Sequence, residues 1–362
     1  MADHRHPTLV MRATIMIAPS QKMSRVSVLA ITSTMCLLSA VGCKGSTDAT
    51  ASETTTGQQE GQTNTGPADW DAAIAAVKAS NGKTASRLYR GTELLPRPDL
   101  VPLGMDPSSK LWEFALLDPT ATGKPPRQNN TDSGQQTDQG SERITFVLLP
   151  GGSLPVKKGA SRDHRHSVAL QPFFLSKYEL TQAQWRQLSG GDNPSGHQDQ
   201  PNSDSLPVES VTWLRAKTVL SEHGMTLPTE LQWEYACRAG STTAWWTGAT
   251  ATSLQGKENV GGKALAPVGS FEPNAFGLYD MAGNVSEWCW DDFGPYGTER
   301  AGDGLRPLSD ADTDPVLRLC RSSAYDKTSA DSAQSAHRNP RHPDGMPWLI
   351  GVRPALAARL GG

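Results

Sequence analysis

The apolar positions of this chain change rhythm along its length, and each change marks a different kind of segment. Residues 26–42 form a run without charge, preceded by Lys22 and Arg25 and ended by Cys43. Residues 44–67 hold no large apolar side chain, so they have nothing to bury and predict an extended stalk. In residues 69–79, Trp70, Ile74 and Val77 recur at helical spacing, and Asn81-Gly82 stops the predicted helix. Two proline-punctuated apolar pieces, 100–104 and 111–117, predict a strand pair. The glutamine-rich stretch 120–141 predicts an exposed loop.

From residue 142 to 358 the pattern is that of a folded domain. Residues 144–149 and 168–175 are β-rich runs and predict one strand each. Thr181 with Gln184, and Thr229 with Gln232, have the spacing of capping boxes. The first predicts a helix with Trp185 and Leu188 inward, the second a helix ending at Gly240 with Leu231, Tyr235 and Ala236 inward. Between them Thr212 caps a third helix that runs to His223 and stops at Gly224. Beyond Gly240 no long periodic segment occurs, so that half consists of short strands and ordered loops around aromatic anchors. The fold class is mixed α+β and irregular. The chain divides into a targeting segment (1–43), a stalk (44–67), a short helix with a strand pair and loop (68–141) and the domain 142–358.

Composition sharpens this picture. The formal charge is −3 and no lysine/arginine block exists, which argues against a nucleic-acid partner. Thirty-four glycines and 26 prolines suit a loop-rich fold and exclude a coiled coil. Ten tryptophans stand beside seven phenylalanines, and each buried indole needs a partner for its N–H, so the core is hydrogen-bonded as well as apolar. The N-terminal segment has the basic, apolar and small-residue order of a secretory signal. Residues 39–43 (SAVGC) resemble the lipobox of bacterial lipoproteins, with Ala40 where leucine is usual. The resemblance implies lipidation at Cys43, hence a cell-envelope protein on the membrane, facing the periplasm or exterior. A spanning anchor is the alternative, and 17 residues are short for it.

Five phrases carry a second resemblance: FFLSKYELT (173–181), LPVESVTW (206–213), LPTELQWEYACRAG (227–240), PVGSFEPNAFGLYDMAGNVSEW (267–288) and IGVRP (350–354). In this order they resemble the formylglycine-generating enzyme, or sulfatase-modifying factor, family. The resemblance implies an irregular C-type-lectin-like α+β domain. Active members oxidise a sulfatase cysteine to formylglycine with oxygen and a copper(I) ion held by two thiolates, the soft ligands that ion prefers. Carried over from the family's phrase, the thiolate positions fall on Lys327 and Ser332, or in a register shifted by one on Thr328 and Ala333. None is a cysteine. Ser286 also replaces the usual aromatic before Glu287-Trp288. Of the remaining cysteines, Cys237 reads as a small buried residue. Cys289 and Cys320 read as a disulfide or two buried thiols on neighbouring strands, with a rebuilt copper pair as the sharper alternative.

The resemblance further implies a structural calcium ion, held by the Asp280 and Glu287 carboxylates and the Gly283 and Val285 carbonyls. The plainer reading is a glycine-turned loop in which both carboxylates cap backbone N–H groups. A second calcium site of the family would start at Asn259-Val260, but its acidic ligand falls in a segment this chain lacks. His164 and His166 read as hydrogen-bonding or surface residues, with a metal pair as the alternative. The expectation is therefore a lipid-anchored binding module for a polypeptide or glycan, without copper and without oxidase activity. The rival is a divergent formylglycine-generating oxidase, and a purely structural envelope role is a third.

Overall fold

The computed structural model describes residues 69–80, 89, 93–117, 143–157, 165–297, 299–306, 316–327, 329–345 and 347–361. All of them belong to the second of two compact units, residues 64–362. The signal segment, Cys43, the stalk, the 120–141 loop, His164 and Thr328 lie outside the described residues.

In chain order the elements begin with α1 (Trp70–Ser80), β1 (Glu93–Leu94), β2 (Leu100–Met105) and β3 (Trp112–Leu116). There follow β4 (Thr145–Leu149), β5 (Gly152–Lys157), β6 (Arg165–Leu170), β7 (Phe173–Ser176), α2 (Gln182–Ser189), α3 (Trp213–Glu222) and α4 (Glu230–Arg238). The last third holds β8 (Ser286–Asp292), β9 (Arg318–Arg321), β10 (Asn339–Arg341), β11 (Ile350–Gly351), β12 (Ala355–Ala357) and β13 (Leu360–Gly361).

A five-stranded antiparallel sheet in the order β12-β7-β4-β3-β2 carries the first half of the core. All five residues of β4 are buried, as a central strand covered on both faces requires. α1 lies on this sheet through Trp70, whose ring stands 4.9 Å from Phe114 and whose indole N–H donates to the Leu100 carbonyl (3.1 Å). Phe114 meets Phe174 edge-on at 5.0 Å, the arrangement that ring quadrupoles favour. The predicted strand pair 100–117 is the β2–β3 hairpin.

The apolar run 168–175 is not one strand. It splits at Gln171-Pro172 into β6, which pairs with β5, and β7, which enters the large sheet. Pro172 has no N–H for a ladder. The Gln171 N–H turns instead to the Gly302 carbonyl (2.6 Å).

The three helices open as their caps dictate. Thr181 and Gln184 exchange side-chain and backbone hydrogen bonds at 3.2 and 3.0 Å. Thr229 and Gln232 do the same at 3.1 and 3.0 Å, and Thr212 accepts from the Arg215 N–H (3.2 Å). A second sheet, β10-β9-β8-β11, occupies the irregular half, with β11 parallel to β8 and the other pairs antiparallel. Indoles pin it to the helices and loops. Trp213 donates to the Cys289 carbonyl (2.8 Å), Trp288 to that of Val211 (2.6 Å) and Trp233 to the Glu287 carboxylate (2.5 Å). Among the described residues, no helix is long and apolar enough to cross a membrane.

Candidate functional site

The start of β8 and the loop before it form a buried polar centre. Glu287 and Arg353 are both fully buried. Glu287 Oε1 accepts from Arg353 Nε (3.0 Å) and Nη2 (2.8 Å), while Oε2 accepts from Arg353 Nε (3.0 Å) and Trp233 Nε1 (2.5 Å). The remaining Arg353 N–H groups reach the carbonyls of Ser176 (3.1 Å), Lys177 (3.1 Å) and Tyr279 (2.8 Å). One guanidinium thus ties β7, β8 and the loop at 279–285 together.

That loop bends through left-handed backbone at Asp280 (φ 57°) and Asn284 (φ 67°). Gly283 presses against Asn259 so closely that a Cβ there would sit 2.7 Å from the Asn259 carbonyl oxygen, so only glycine fits. Asn284 donates to Glu179 Oε2 (2.6 Å), and the Val285 N–H donates to Glu179 Oε1 (3.0 Å). Glu258 enters from the other side, its Oε1 accepting from Trp246 Nε1 (2.6 Å) and the Ala282 N–H (3.1 Å). Asp280 Oδ2 accepts from the Gly269 N–H (2.7 Å).

Asp280 Oδ1 and Glu258 Oε2 are buried without a hydrogen-bond partner. Burial raises all three of these acids. It pushes Asp280 up to about 6, and lifts Glu179 and Glu258 well above the carboxylate range, with the Asp280 charge adding to both.

The four residues expected to hold calcium are therefore brought into one centre, on unequal terms. Asp280 has an oxygen to offer a cation. Glu287 has its acceptor positions filled by Arg353 and Trp233. Gly283 O accepts the Ser322 hydroxyl at 3.4 Å. Glu179 and Glu258, which the sequence reading did not single out, approach the loop from positions roughly a hundred and two dozen residues away. Their signal in the chain was position: Glu179 lies within the phrase 173–181 that carried the resemblance, and Glu258 directly precedes Asn259-Val260.

The positions onto which the family's thiolates carry over hold other groups. Ser332 Oγ lies 2.8 Å from Ser323 Oγ and donates to the Ser329 carbonyl (2.9 Å), and Lys327 pairs with Asp326 (3.0 Å). Ala333 is buried. Hydroxyls and an ammonium do not fit a soft monovalent metal. Cys237, Cys289 and Cys320 are buried free thiols. Burial pushes Cys237 up to about 12 and the other two well above the thiol range. Cys320 lies across from Trp288, so the alternation of the strand sends Cys289 to the opposite face, and the two form no disulfide.

Next to these positions is an aromatic shelf. The His197 ring lies 5.4 Å from Trp348 and 6.2 Å edge-on from Tyr325. Buried Glu209 sits behind it, with Oε1 3.0 Å from His197 Nδ1 and Oε2 taking the Ser210 hydroxyl (2.5 Å). Trp348 is 57% exposed, the most exposed large apolar side chain among the described residues. Its ring covers Gly196, where a Cβ would sit 2.8 Å from the indole.

Behind β9, buried Arg321 bonds Glu230 (2.7 Å) and Glu234 (2.9 Å), and Arg338 adds a second fork to Glu230. Burial alone would raise Glu230, but Arg321, Arg306 and Arg338 overcome it and hold the acid at about 2. A cavity of about 440 Å³ adjoins this network, lined by Leu154, Val156, Tyr235, Arg238 and Tyr296 among others. His166 accepts or donates at Glu299 (3.1 Å) and takes part in no metal cluster among the described residues.

The mixed, loop-rich α+β domain has the C-type-lectin-like, formylglycine-generating-enzyme fold. The family model described as "Sulfatase-modifying factor enzyme 1-like domain" matches residues 131–358, and the chain belongs to that family. It is 30% identical to "Chaperone protein LppX" of Paenibacillus barcinonensis, over 40% of this chain and 71% of that protein. It is 33% identical to the formylglycine-generating enzyme of Mus musculus over 36% of this chain, and spans 37% of the mouse protein's length. Among solved structures, Treponema denticola variable protein 1 is similar in fold. It has a TM-score of 0.50 and 24% identity, covering 59% of this chain and 96% of that one.

Proposed function

We propose that this chain is an envelope protein lipidated at Cys43 whose domain binds a polypeptide, and that it does not carry out copper-dependent formylglycine formation. The observation that carries this reading is the Ser323–Ser332 hydroxyl pair beside Lys327, where the family's oxidase chemistry needs thiolates. With that chemistry gone, the adjoining Tyr325–His197–Trp348 shelf supplies what a binding surface needs: a large exposed indole, two further rings and polar groups already held in place. The relative named as a chaperone supports a polypeptide as the ligand.

Two measurements test the reading. Radiolabelled palmitate is incorporated into the parent and not into Cys43→Ser; labelling that survives the substitution removes the lipoprotein claim. The full chain in detergent slows aggregation of an unfolded polypeptide, and Trp348→Ala loses that effect. A chain that leaves the polypeptide untouched while retaining a glycan on an array places the ligand in the other class.

A further inference from the structure

The cavity of about 440 Å³ is set between β5, the C-terminal end of α4 with the turn after it, and the Tyr296 ring. Small-molecule sites occupy roughly 300–1,000 Å³, and this one falls within that range. Leu154 and Val156 build its apolar side, both buried, and the Tyr235 and Tyr296 rings pack against the same cluster. The polar side is defined by which groups still have a hydrogen-bonding position open. Glu234, the carboxylate of the lining, has both oxygens engaged: Oε1 accepts from Arg238 Nε (2.9 Å) and Oε2 from Arg321 Nη2 (2.9 Å). The Tyr296 hydroxyl donates to Glu230 (2.8 Å) and accepts from Arg321 (3.0 Å). Arg238 is different. Its Nε is fixed by Glu234 and its Nη1 by the Thr243 carbonyl (3.0 Å), while its Nη2 meets no acceptor among the described residues. Thr242 adds a hydroxyl at the exposed rim.

We propose that this cavity binds a small organic carboxylate with an apolar body, its head group on Arg238 Nη2 and its body against Leu154, Val156 and the two tyrosine rings. The lining offers such a head N–H donors on a cation, and its own carboxylate is already occupied by two guanidiniums. Hydrogen bonds between a guanidinium and a carboxylate are charge-assisted, about twice as strong as neutral ones. Two of the three Arg238 nitrogens are anchored before a ligand arrives, so little ordering cost falls on binding. An ammonium head would meet the same cation without a free carboxylate to balance it. The site shares no residue with the Tyr325–His197–Trp348 shelf.

Phenylbutyrate, phenylbutyramide and phenylbutylamine share one body and differ in the head group, and ligand-observed NMR on the full chain, with detergent alone as the blank, compares them. The acid binds, the amide binds roughly tenfold more weakly, and the amine more weakly still. Arg238→Gln brings the acid down to the amide. Thr242→Trp closes the exposed rim and abolishes binding of the acid with the melting temperature of the parent, whereas Trp348→Ala leaves it unchanged. The acid-to-amide ratio is read in the parent, so it stands even where Arg238→Gln fails to fold. An amide that binds as tightly as the acid overturns the role of Arg238. An acid that does not bind the parent, or that binds Thr242→Trp as it binds the parent, overturns the site. The aggregation assay reads the shelf and does not depend on these results.

Discussion

Arg353 and Glu287 satisfy each other and leave nothing over. All five N–H groups of the guanidinium are used, and the carboxylate accepts three contacts from Arg353 and one from Trp233. Removing one partner strands the other charge in the interior, at a cost of about 3–5 kcal/mol. Arg353→Met and Glu287→Leu are each expected to lower the unfolding free energy by that order, read as a fall in the urea midpoint, and Arg353→Lys to do nearly as much, because an ammonium cannot reproduce the planar fork. The double variant is expected to recover part of the loss. A midpoint unchanged in Arg353→Met would show that the pair is not what holds β7 to β8.

Glu230 makes the fold sensitive to acid. Its folded pKa, about 2, lies below the unfolded value near 4.5. A depressed carboxylate contributes stability that is fully present above the unfolded pKa and is lost as pH falls from about 4.5 toward 2. Glu230 is nearly wholly buried, so the contribution is on the order of 3 kcal/mol. Stability measured by denaturant at pH 6, 4 and 3 should fall less steeply for Glu230→Gln than for the parent, starting from a lower plateau. Identical slopes would assign the acid sensitivity to other carboxylates.

Cys237, Cys289 and Cys320 are expected to resist alkylation in the native chain and to react only after unfolding. Reactivity belongs to the thiolate, and burial holds all three as thiols at neutral pH. Iodoacetamide labelling followed by peptide mapping reads this directly. Modification of Cys320 in the native protein would reopen the question of a metal-binding thiol.

Trp348→Ala should separate binding from folding. The indole is exposed, so its removal changes stability by less than about 0.5 kcal/mol. If the shelf is the binding face, polypeptide binding falls sharply with melting temperature unchanged. Retained binding would direct attention to the 440 Å³ cavity beside Tyr235 and Arg238 instead.

What the sequence made legible was local. The capping boxes at Thr181 and Thr229 are four-residue patterns, and they close as the spacing required. The indole count foretold loops pinned by N–H donors, and Trp213, Trp233 and Trp288 do that, whereas the buried Trp112 and Trp185 N–H groups meet no acceptor among the described residues. The run 168–175 misled because apolar character outweighed a single Pro172, whose missing N–H decides where one strand ends and another begins. The polar centre was legible only in part. Asp280 and Glu287 stand in one phrase, but Glu179 reaches Asn284 across 105 residues and Arg353 reaches Glu287 across 66. No periodicity records which of two carboxylates meets a guanidinium and which is left with a bare oxygen. Similarly, that Cys320 faces Trp288 and not Cys289 is a matter of register, which short strands do not announce.

The claim on which the functional account turns is that this domain has no thiolate pair for copper(I). A competition titration of Cu(I) against a chromogenic chelator, on the full reduced chain and on Cys237→Ala, Cys289→Ala and Cys320→Ala, measures that most directly. The account predicts that the domain withdraws no stoichiometric copper and that the three variants match the parent. One equivalent withdrawn tightly, and lost on replacing Cys289 or Cys320, would contradict it.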